Sequence, residues 1–224
     1  MNNNLDGVFL DNTLSGTSTP KPITLTGINI TSNNTDHGFE IYSYGVVTIN
    51  KITANQNNYG GRIINQGGNP SNAVIAGYGV FDSNSIVGLT INSQGAVLLT
   101  NITANNTSVS SGVMIDNTFG TSGITLTGTN TFTTNASHGI SLSSNGAITI
   151  TKITADNNSG SGLFASNSST VTITCGSFTS NAFFGWRIDN ATLVTMNGVF
   201  TAGNGTGDYS TPATVVFTRA CPLP

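Results

Sequence analysis

Charge is the scarcest property of this chain: 7% of its 224 residues are Asp, Glu, Lys or Arg, against about a quarter in ordinary soluble domains. Nine acids, six bases and a net charge of -3 leave no basic stripe. That excludes the phosphate-neutralising surface of a nucleic-acid partner and polybasic attachment to an anionic membrane. Long apolar runs are also missing, since none approaches the ~18 residues of a membrane span. The opening MNNNLDGVFL lacks the basic, apolar and small-residue order of a secretion signal. Cys175 and Cys221 form neither CxxC nor Cys/His metal spacing, and the calcium pattern GGxGxD is absent, so no metal and no cofactor are expected. What is abundant is Asn, Thr, Ser and Gly, with 27 glycines, and solubility must rest on amides and hydroxyls. Such a composition points to an extracellular or cell-surface chain. Sequons occur at Asn29, Asn101, Asn135, Asn167 and Asn190 among others, at a frequency this composition generates by itself.

A glycine opening an apolar strand recurs at Gly7, Gly38, Gly61, Gly88, Gly112, Gly139, Gly162 and Gly185, at intervals that are nearly all 23 to 27 residues. That is the period of a solenoid. The adjacent Gly60 leaves the third anchor open by one residue. Apolar residues stand one and three places after the glycine, as in Phe39 and Ile41, Leu89 and Ile91, or Ile140 and Leu142, and period-two alternation means a strand with these side chains inside. A second alternating run follows (Val47 to Asn50, Ile124 to Thr127, Ile148 to Thr151). A third apolar stretch (Ile52 to Ala54, Ile102 to Ala104, Ile153 to Ala155) gives a roughly triangular cross-section.

Four residues before the next glycine stand Asn34, Asn57, Asn84, Asn135, Asn158 and Asn181, with Ser108 as the exception and Asn204 continuing the row. Stacked coils place such side chains about 4.8 Å apart, close enough for amides to hydrogen-bond along the axis as a structural ladder. A longer repeat offsets ITLTGINITSNNTDHG at 23–38 by 101 residues to ITLTGTNTFTTNASHG at 124–139. We therefore expect one domain over 1–224, a segment of a larger protein, duplicated near 23–111 and 124–209. The insertions 13–22 and 66–72 should project as loops from one polar corner.

These repeats resemble the right-handed parallel β-helix proteins of the pectate-lyase-like superfamily, and especially repeat-rich bacterial surface and secreted solenoids. The resemblance implies an all-β solenoid of about eight to nine coils of roughly 23–27 residues. In the enzyme members it would imply polysaccharide cleavage in a long groove along one sheet, an activity that fold alone does not transfer.

The acids offer little stacked chemistry. Asp11, Asp116 and Asp189 share the position four after the glycine and read as turn residues accepting local backbone donors, as do Asp82 and Asp156. One concentration of ionisable groups exists: Asp36, His37 and Glu40, with Arg62 on the next coil. It could supply acid, base and cation, or be a surface ion pair beside a turn. His138 repeats His37, yet Asp36 becomes Ser137 and Glu40 becomes Ser141. The two histidines should lie about 19 Å apart and cannot share an ion. Cys175 and Cys221, two coils apart or about 9.6 Å, exceed disulfide reach unless the end of the chain folds back.

Outward positions two after the glycine run Phe9, Glu40, Arg62, Thr90, Met114, Ser141, Phe164 and Arg187; Phe9, Met114, Phe164 and Arg187 form a candidate binding face. A Thr ribbon (Thr24/Thr26, Thr125/Thr127, Thr149/Thr151, Thr172/Thr174) resembles the rows of ice-binding solenoids but breaks at Val74/Ala76 and Leu98. The leading expectation is a non-enzymatic extracellular solenoid, a surface stalk, adhesive segment or fibre that associates end to end or continues into further repeats, with a carbohydrate or cell-surface ligand. The alternative is a polysaccharide lyase or glycoside hydrolase of the pectate-lyase-like type using Asp36, His37, Glu40 and Arg62. A second alternative is an ice-binding protein.

Overall fold

In the computed structural model, residues 5–13, 20–67, 71–218 and 221 are described. The tips of both expected corner loops, 14–19 and 68–70, lie outside the described residues, as do 1–4, 219–220 and 222–224. The chain forms a right-handed parallel β-helix of about eight turns, and no helix occurs among the described residues. Its first sheet has nine parallel strands: Val8–Asp11, His37–Tyr42, Tyr59–Asn65, Val87–Ser93, Val113–Asn117, Ile140–Ser144, Leu163–Ser166, Phe184–Asp189 and Gly207–Ser210. The second sheet, of 11 strands, runs from Ile23–Ile30 to Thr214–Thr218. It bends at a column of left-handed residues, Gly27, Asn101, Gly128, Lys152, Cys175 and Gly198, so the expected third face is the far side of that bend.

Stacking puts like on like. Phe39 and Ile41, Leu89 and Ile91, Val113 and Ile115, Ile140 and Leu142, Leu163 and Ala165, and Trp186 and Ile188 are all buried on the first sheet. They face columns such as Val97–Ile124–Ile148–Val171 on the second. A strand turned by one residue would bring residues such as Glu40, Thr90, Ser141 and Arg187 into these layers, so the period-two pattern fixes the register.

One anchor differs from the sequence reading. Gly61 pairs with Phe39 and Leu89, which are inward positions, so Gly60 and not Gly61 is the third anchor. A Cβ at Gly61 would stand 2.3 Å from the Phe39 ring, and that ring occupies the core volume the glycine leaves open.

The asparagine ladder is present and buried. The Asn34 N–H donates to Asn57 Oδ1 at 2.8 Å, Asn57 N–H to Asn84 Oδ1 at 2.9 Å, and the pattern repeats from Asn135 to Asn158, Asn158 to Asn181 and Asn181 to Asn204. The amides of Asn84, Asn135, Asn158, Asn181 and Asn204 also donate to a carbonyl of the preceding coil, as Asn158 Nδ2 does to Phe132 O at 3.0 Å. The exceptional coil uses Thr107 and not Ser108: Thr107 N–H and Oγ1 both donate to Asn135 Oδ1, while Ser108 is exposed. The residue before every rung is left-handed, with φ between 56° and 66° at Asn33, Gln56, Ser83, Asn106, Thr134, Asn157, Ser180 and Gly203. That conformation turns the chain sharply and aims the next side chain inward. It also explains the glycines. A Cβ at Gly38, Gly139 or Gly162 would lie 2.7 to 2.9 Å from the ladder amide nitrogen of the next coil and against a backbone carbonyl.

A second ladder escaped the sequence reading. Asn55 Oδ1 accepts Asp82 N–H, Asp82 Oδ1 accepts Asn105 N–H, Asn105 Oδ1 accepts Thr133 N–H, and Asp156 Oδ1 accepts Thr179 N–H. Asp82 and Asp156 thus serve the neighbouring coil and not their own turn. Asp11 and Asp116 do accept locally, each from the N–H and Oγ1 of the Thr two residues on.

Cys175 and Cys221 are bonded, with Cα atoms 5.3 Å apart. The intervening coil offers Gly198 at the same register position, and a Cβ there would meet Cys221 at 2.3 to 2.9 Å. The end of the chain folds back across that glycine, which removes the two-coil gap.

Two substitutions test this architecture. Ile150, fully buried, changed to Asp places an unpaired charge between stacked strands and should lower stability by about 3–5 kcal/mol; an unchanged urea midpoint would contradict the assigned core face. Asn158→Ala strips the acceptor for two donors of Asn135 and should cost about 1–3 kcal/mol, measured by the same denaturation.

Candidate active site on the outer face of the first sheet

The outward column of the first sheet runs in unbroken register through Phe9, Glu40, Arg62, Thr90, Met114, Ser141, Phe164, Arg187 and Ser210. Beside it lies the column of residues that precede each glycine, in which Asp6, His37 and Tyr59 follow one another. Parallel stacking therefore brings side chains from three coils to one place.

Glu40 is the centre of this group. Its Oε1 accepts hydrogen bonds from Arg62 Nη1 at 2.9 Å and from the Tyr42 hydroxyl at 3.0 Å, and Arg62 Nη1 also reaches the Tyr42 oxygen at 3.2 Å. The Glu40 side chain is only 10% exposed although it points outward. Two donors at one oxygen tie it to its neighbours, so Glu40 serves as the anchor of this group. The Tyr42 phenol is pushed up from its usual range, first by burial and then by its bond to Glu40, with the Arg62 charge opposing. It remains a proton donor through neutral pH.

His37 sits between carboxylates. Its Nδ1 is 3.3 Å from Asp6 Oδ1 and 3.2 Å from Asp36 Oδ1, and its Nε2 is 3.9 Å from Glu40 Oε1. The Asp6 carboxylate can only accept at Nδ1, which puts the proton there in the neutral ring and leaves the lone pair on Nε2. The ring stacks on Tyr59 at 4.5 Å and 14°. Asp36, His37, Tyr59, Arg62 and Thr90 line a shallow cavity of about 530 Å³. Arg62 makes its protein contacts through Nη1 and lies 39% exposed at this cavity. Nε and Nη2 therefore remain for a ligand anion. The cavity is lined by a base and a cation, and the Tyr42 phenol is hydrogen-bonded to that cation and to Glu40.

The ligand atoms of Asp6, Asp36 and His37 lie within 4.8 Å of one another. This is the one trio among the described residues with the spacing of a metal site. The hydrogen bond between His37 and Asp6 and the ion-pair distance from His37 to Asp36 already account for that approach.

The sequence reading had named Asp36, His37, Glu40 and Arg62, and the structure brings all four together. It missed Asp6, Tyr42 and Tyr59. The signal was available: Asp6, His37 and Tyr59 each immediately precede an anchor glycine, once Gly60 is taken as the anchor, and Tyr42 holds the position that Asp11 holds one coil earlier.

The residues of the candidate binding face do not gather at one point. Phe9 is 55% exposed and packs beside Tyr42 with ring centroids 6.0 Å apart. Met114 lies mid-sheet in a hollow of about 290 Å³ with Asn92, Asp116, Ser141 and Ser143. Phe164 is stacked by His138 at 5.3 Å and approached by Arg187 at 5.5 Å, while Arg187 forms an ion pair with Asp189 at 2.9 Å. The Thr ribbon lies on the second sheet, where Val74 and Leu98 interrupt the column that contains Thr48 and Thr125.

No family model matches the sequence, and no curated protein matches it. Solved structures do. The chain is similar to the periplasmic alginate epimerase AlgG in two mutant forms, with TM-scores of 0.69 and 0.68, 19% and 18% identity, and 87% and 85% of this chain covered. It is also similar to the A-module of the Azotobacter vinelandii mannuronan C-5 epimerase AlgE4, with a TM-score of 0.50, 14% identity and 86% of this chain covered. The chain spans about half of the AlgG structures, 50% and 49%, and 62% of the AlgE4 module. At these identities the likeness is one of fold. It nevertheless corrects the leading expectation. The similar solenoids are alginate and mannuronan epimerases and not stalks or adhesins, so the non-enzymatic structural reading is withdrawn.

The second histidine supplies a pH test of the geometry. Burial lowers the pKa of His138 below its usual value of 6.5, and the Arg187 charge adds to the lowering. The unfolded chain then binds more protons than the folded one between the two values, and stability falls as pH drops through that window. Thermal midpoints of the wild type should decline between about pH 7 and 5 more steeply than those of His138→Gln; parallel curves would refute the burial of a neutral ring.

Proposed function

We propose that the chain is the β-helical part of an enzyme that modifies a uronic-acid polysaccharide by removing the proton next to the sugar carboxylate. The observation that carries this reading is the meeting of His37 and Arg62 at one cavity on the outer face of the sheet, with the Tyr42 hydroxyl within hydrogen-bond reach of Arg62 and of Glu40. A C–H beside a carboxylate is acidic enough to lose its proton only when the carboxylate charge is neutralised as the enolate develops. Arg62 is the cation for that role. His37, with its lone pair on Nε2, takes the proton. Asp6 and Asp36 hold the ring and stabilise the imidazolium that forms. Tyr42 then supplies a proton. Delivered to the same carbon from the other face, it inverts that carbon; delivered to the departing glycosidic oxygen as the C–O bond breaks, it leaves an unsaturated sugar. Glu40 keeps Arg62 and Tyr42 in place.

Hydrolysis fits less well. It needs two carboxyl groups within about 10 Å that both face the bond to be cleaved, and Glu40 is engaged by Arg62 and Tyr42 and does not line the cavity. The similarity to alginate and mannuronan epimerases supports a uronate chain as substrate class and inversion as outcome. A secreted or periplasmic setting fits both the composition and the periplasmic AlgG neighbours.

The test is incubation of the protein with polymannuronate in heavy water. Solvent deuterium should appear at the carbon bearing the carboxylate, with or without unsaturated chain ends. His37→Gln and Arg62→Gln should each lower that rate by about 10² to 10⁴-fold. Absence of both deuterium and unsaturation across a panel of uronate polymers would overturn the proposal.

A further inference from the structure

His37 and His138 are the two histidines of the chain and occupy equivalent places four strands apart on the first sheet. His138 lines a second cavity, of about 340 Å³, with Ser137, Ser159, Ser161, Phe183, Phe184 and Arg187. This pocket keeps the recognition parts of the first and lacks its acid–base parts. A histidine again stacks on an aromatic ring, here Phe164, with an arginine reaching over that ring. The arginine comes from one coil further along than in the first pocket, because Phe164 holds the register position of Arg62 and Arg187 that of Thr90. The carboxylates are gone: Asp6, Asp36 and Glu40 correspond to Ser111, Ser137 and Ser141. No carboxylate orients the ring. Instead His138 Nδ1 accepts the Ser161 backbone N–H at 2.9 Å, which puts the remaining proton on Nε2 and makes the neutral ring a hydrogen-bond donor.

We propose that this second pocket is a non-catalytic subsite that binds another sugar unit of the polysaccharide chain whose modification occurs at His37; the inference rests on the uronate reading above. Phe183, 55% exposed, offers an apolar face to a sugar ring. Serine hydroxyls and His138 Nε2 face sugar hydroxyls. Arg187 uses Nε and Nη2 for Asp189 and keeps Nη1 for a carboxylate. The two pockets are joined on one face: Thr90 borders both the first cavity and the Met114 hollow, and Ser141 of that hollow pairs in register with Phe164. Four strand spacings, about 19 Å, separate the histidines, a length that several sugar units of an extended chain span. The groove thus holds a linear chain along the helix axis, with the reacting unit near one end.

The histidine pair makes the test direct, since each pocket carries one imidazole NMR signal, assigned by its loss in His138→Gln. A long oligomannuronate should shift both signals together. In the double variant Arg187→Gln/Phe183→Ala the His138 shift should vanish, the affinity for the long oligomer should fall by about tenfold or more, and the His37 shift should remain at saturation. If the oligomer shifts His37 alone in the wild-type protein, the subsite is overturned and the catalytic reading stands. If it shifts His138 alone, the subsite stands and the catalytic reading falls. If neither signal moves, both are overturned. The wild-type result does not depend on the variant folding.

Discussion

The closest constraint in this molecule is the meeting of a ladder amide with a glycine. Each coil must set its asparagine side chain inside a sharp corner, under a left-handed residue, where the amide bridges two coils and a carbonyl of the third face. The strand that opens the next turn passes so close to that amide that a single Cβ would collide with it. Asparagine and glycine are therefore one device read at two positions. The coil with Thr107 shows the dependence from the other side. No amide approaches Gly88, and the neighbours of its absent Cβ are a backbone carbonyl and the Ala104 methyl.

That device sets the register, and the register assembles the site. Because every strand of the first sheet starts from the same corner, residues at equal distance from the glycine fall into columns. Asp6, His37 and Tyr59 meet in one column, Glu40 and Arg62 in the next. A chain with so few charges can place only isolated ionic groups on its surface, and the two places where they collect are also the two places where a histidine precedes the glycine. The first has carboxylates on both edges of its imidazole; the second has a backbone donor on one edge. Equivalent scaffolding thus carries two different proton arrangements, one suited to accept a proton and the other to donate a hydrogen bond.

The loss of Asp36 and Glu40 equivalents in the second half had argued, in the sequence, that the polar group was incidental. In three dimensions the argument reverses. The first copy is richer than the sequence indicated, through Asp6, Tyr42 and Tyr59, and its central carboxylate is sheltered and held by two donors. The second copy holds an aromatic and cationic pocket, with serines where the first has Asp6, Asp36 and Glu40.

The sequence by itself determined the solenoid, its inward faces, the ladder and the four residues Asp36, His37, Glu40 and Arg62 as the one ionisable concentration, because each is written in a short period that stacking repeats without change. It left undecided whatever depends on how unequal coils are brought into line. The third anchor is Gly60, since the Phe39 ring needs the space over Gly61. The odd rung is Thr107, since its corner is one residue longer. The disulfide closes because the end of the chain crosses Gly198. Asp6 and Tyr42 join the site because an N-terminal coil and a neighbouring strand position lie against it in space. These are contacts between coils whose local sequences say nothing of each other, and only the tertiary stacking could decide them.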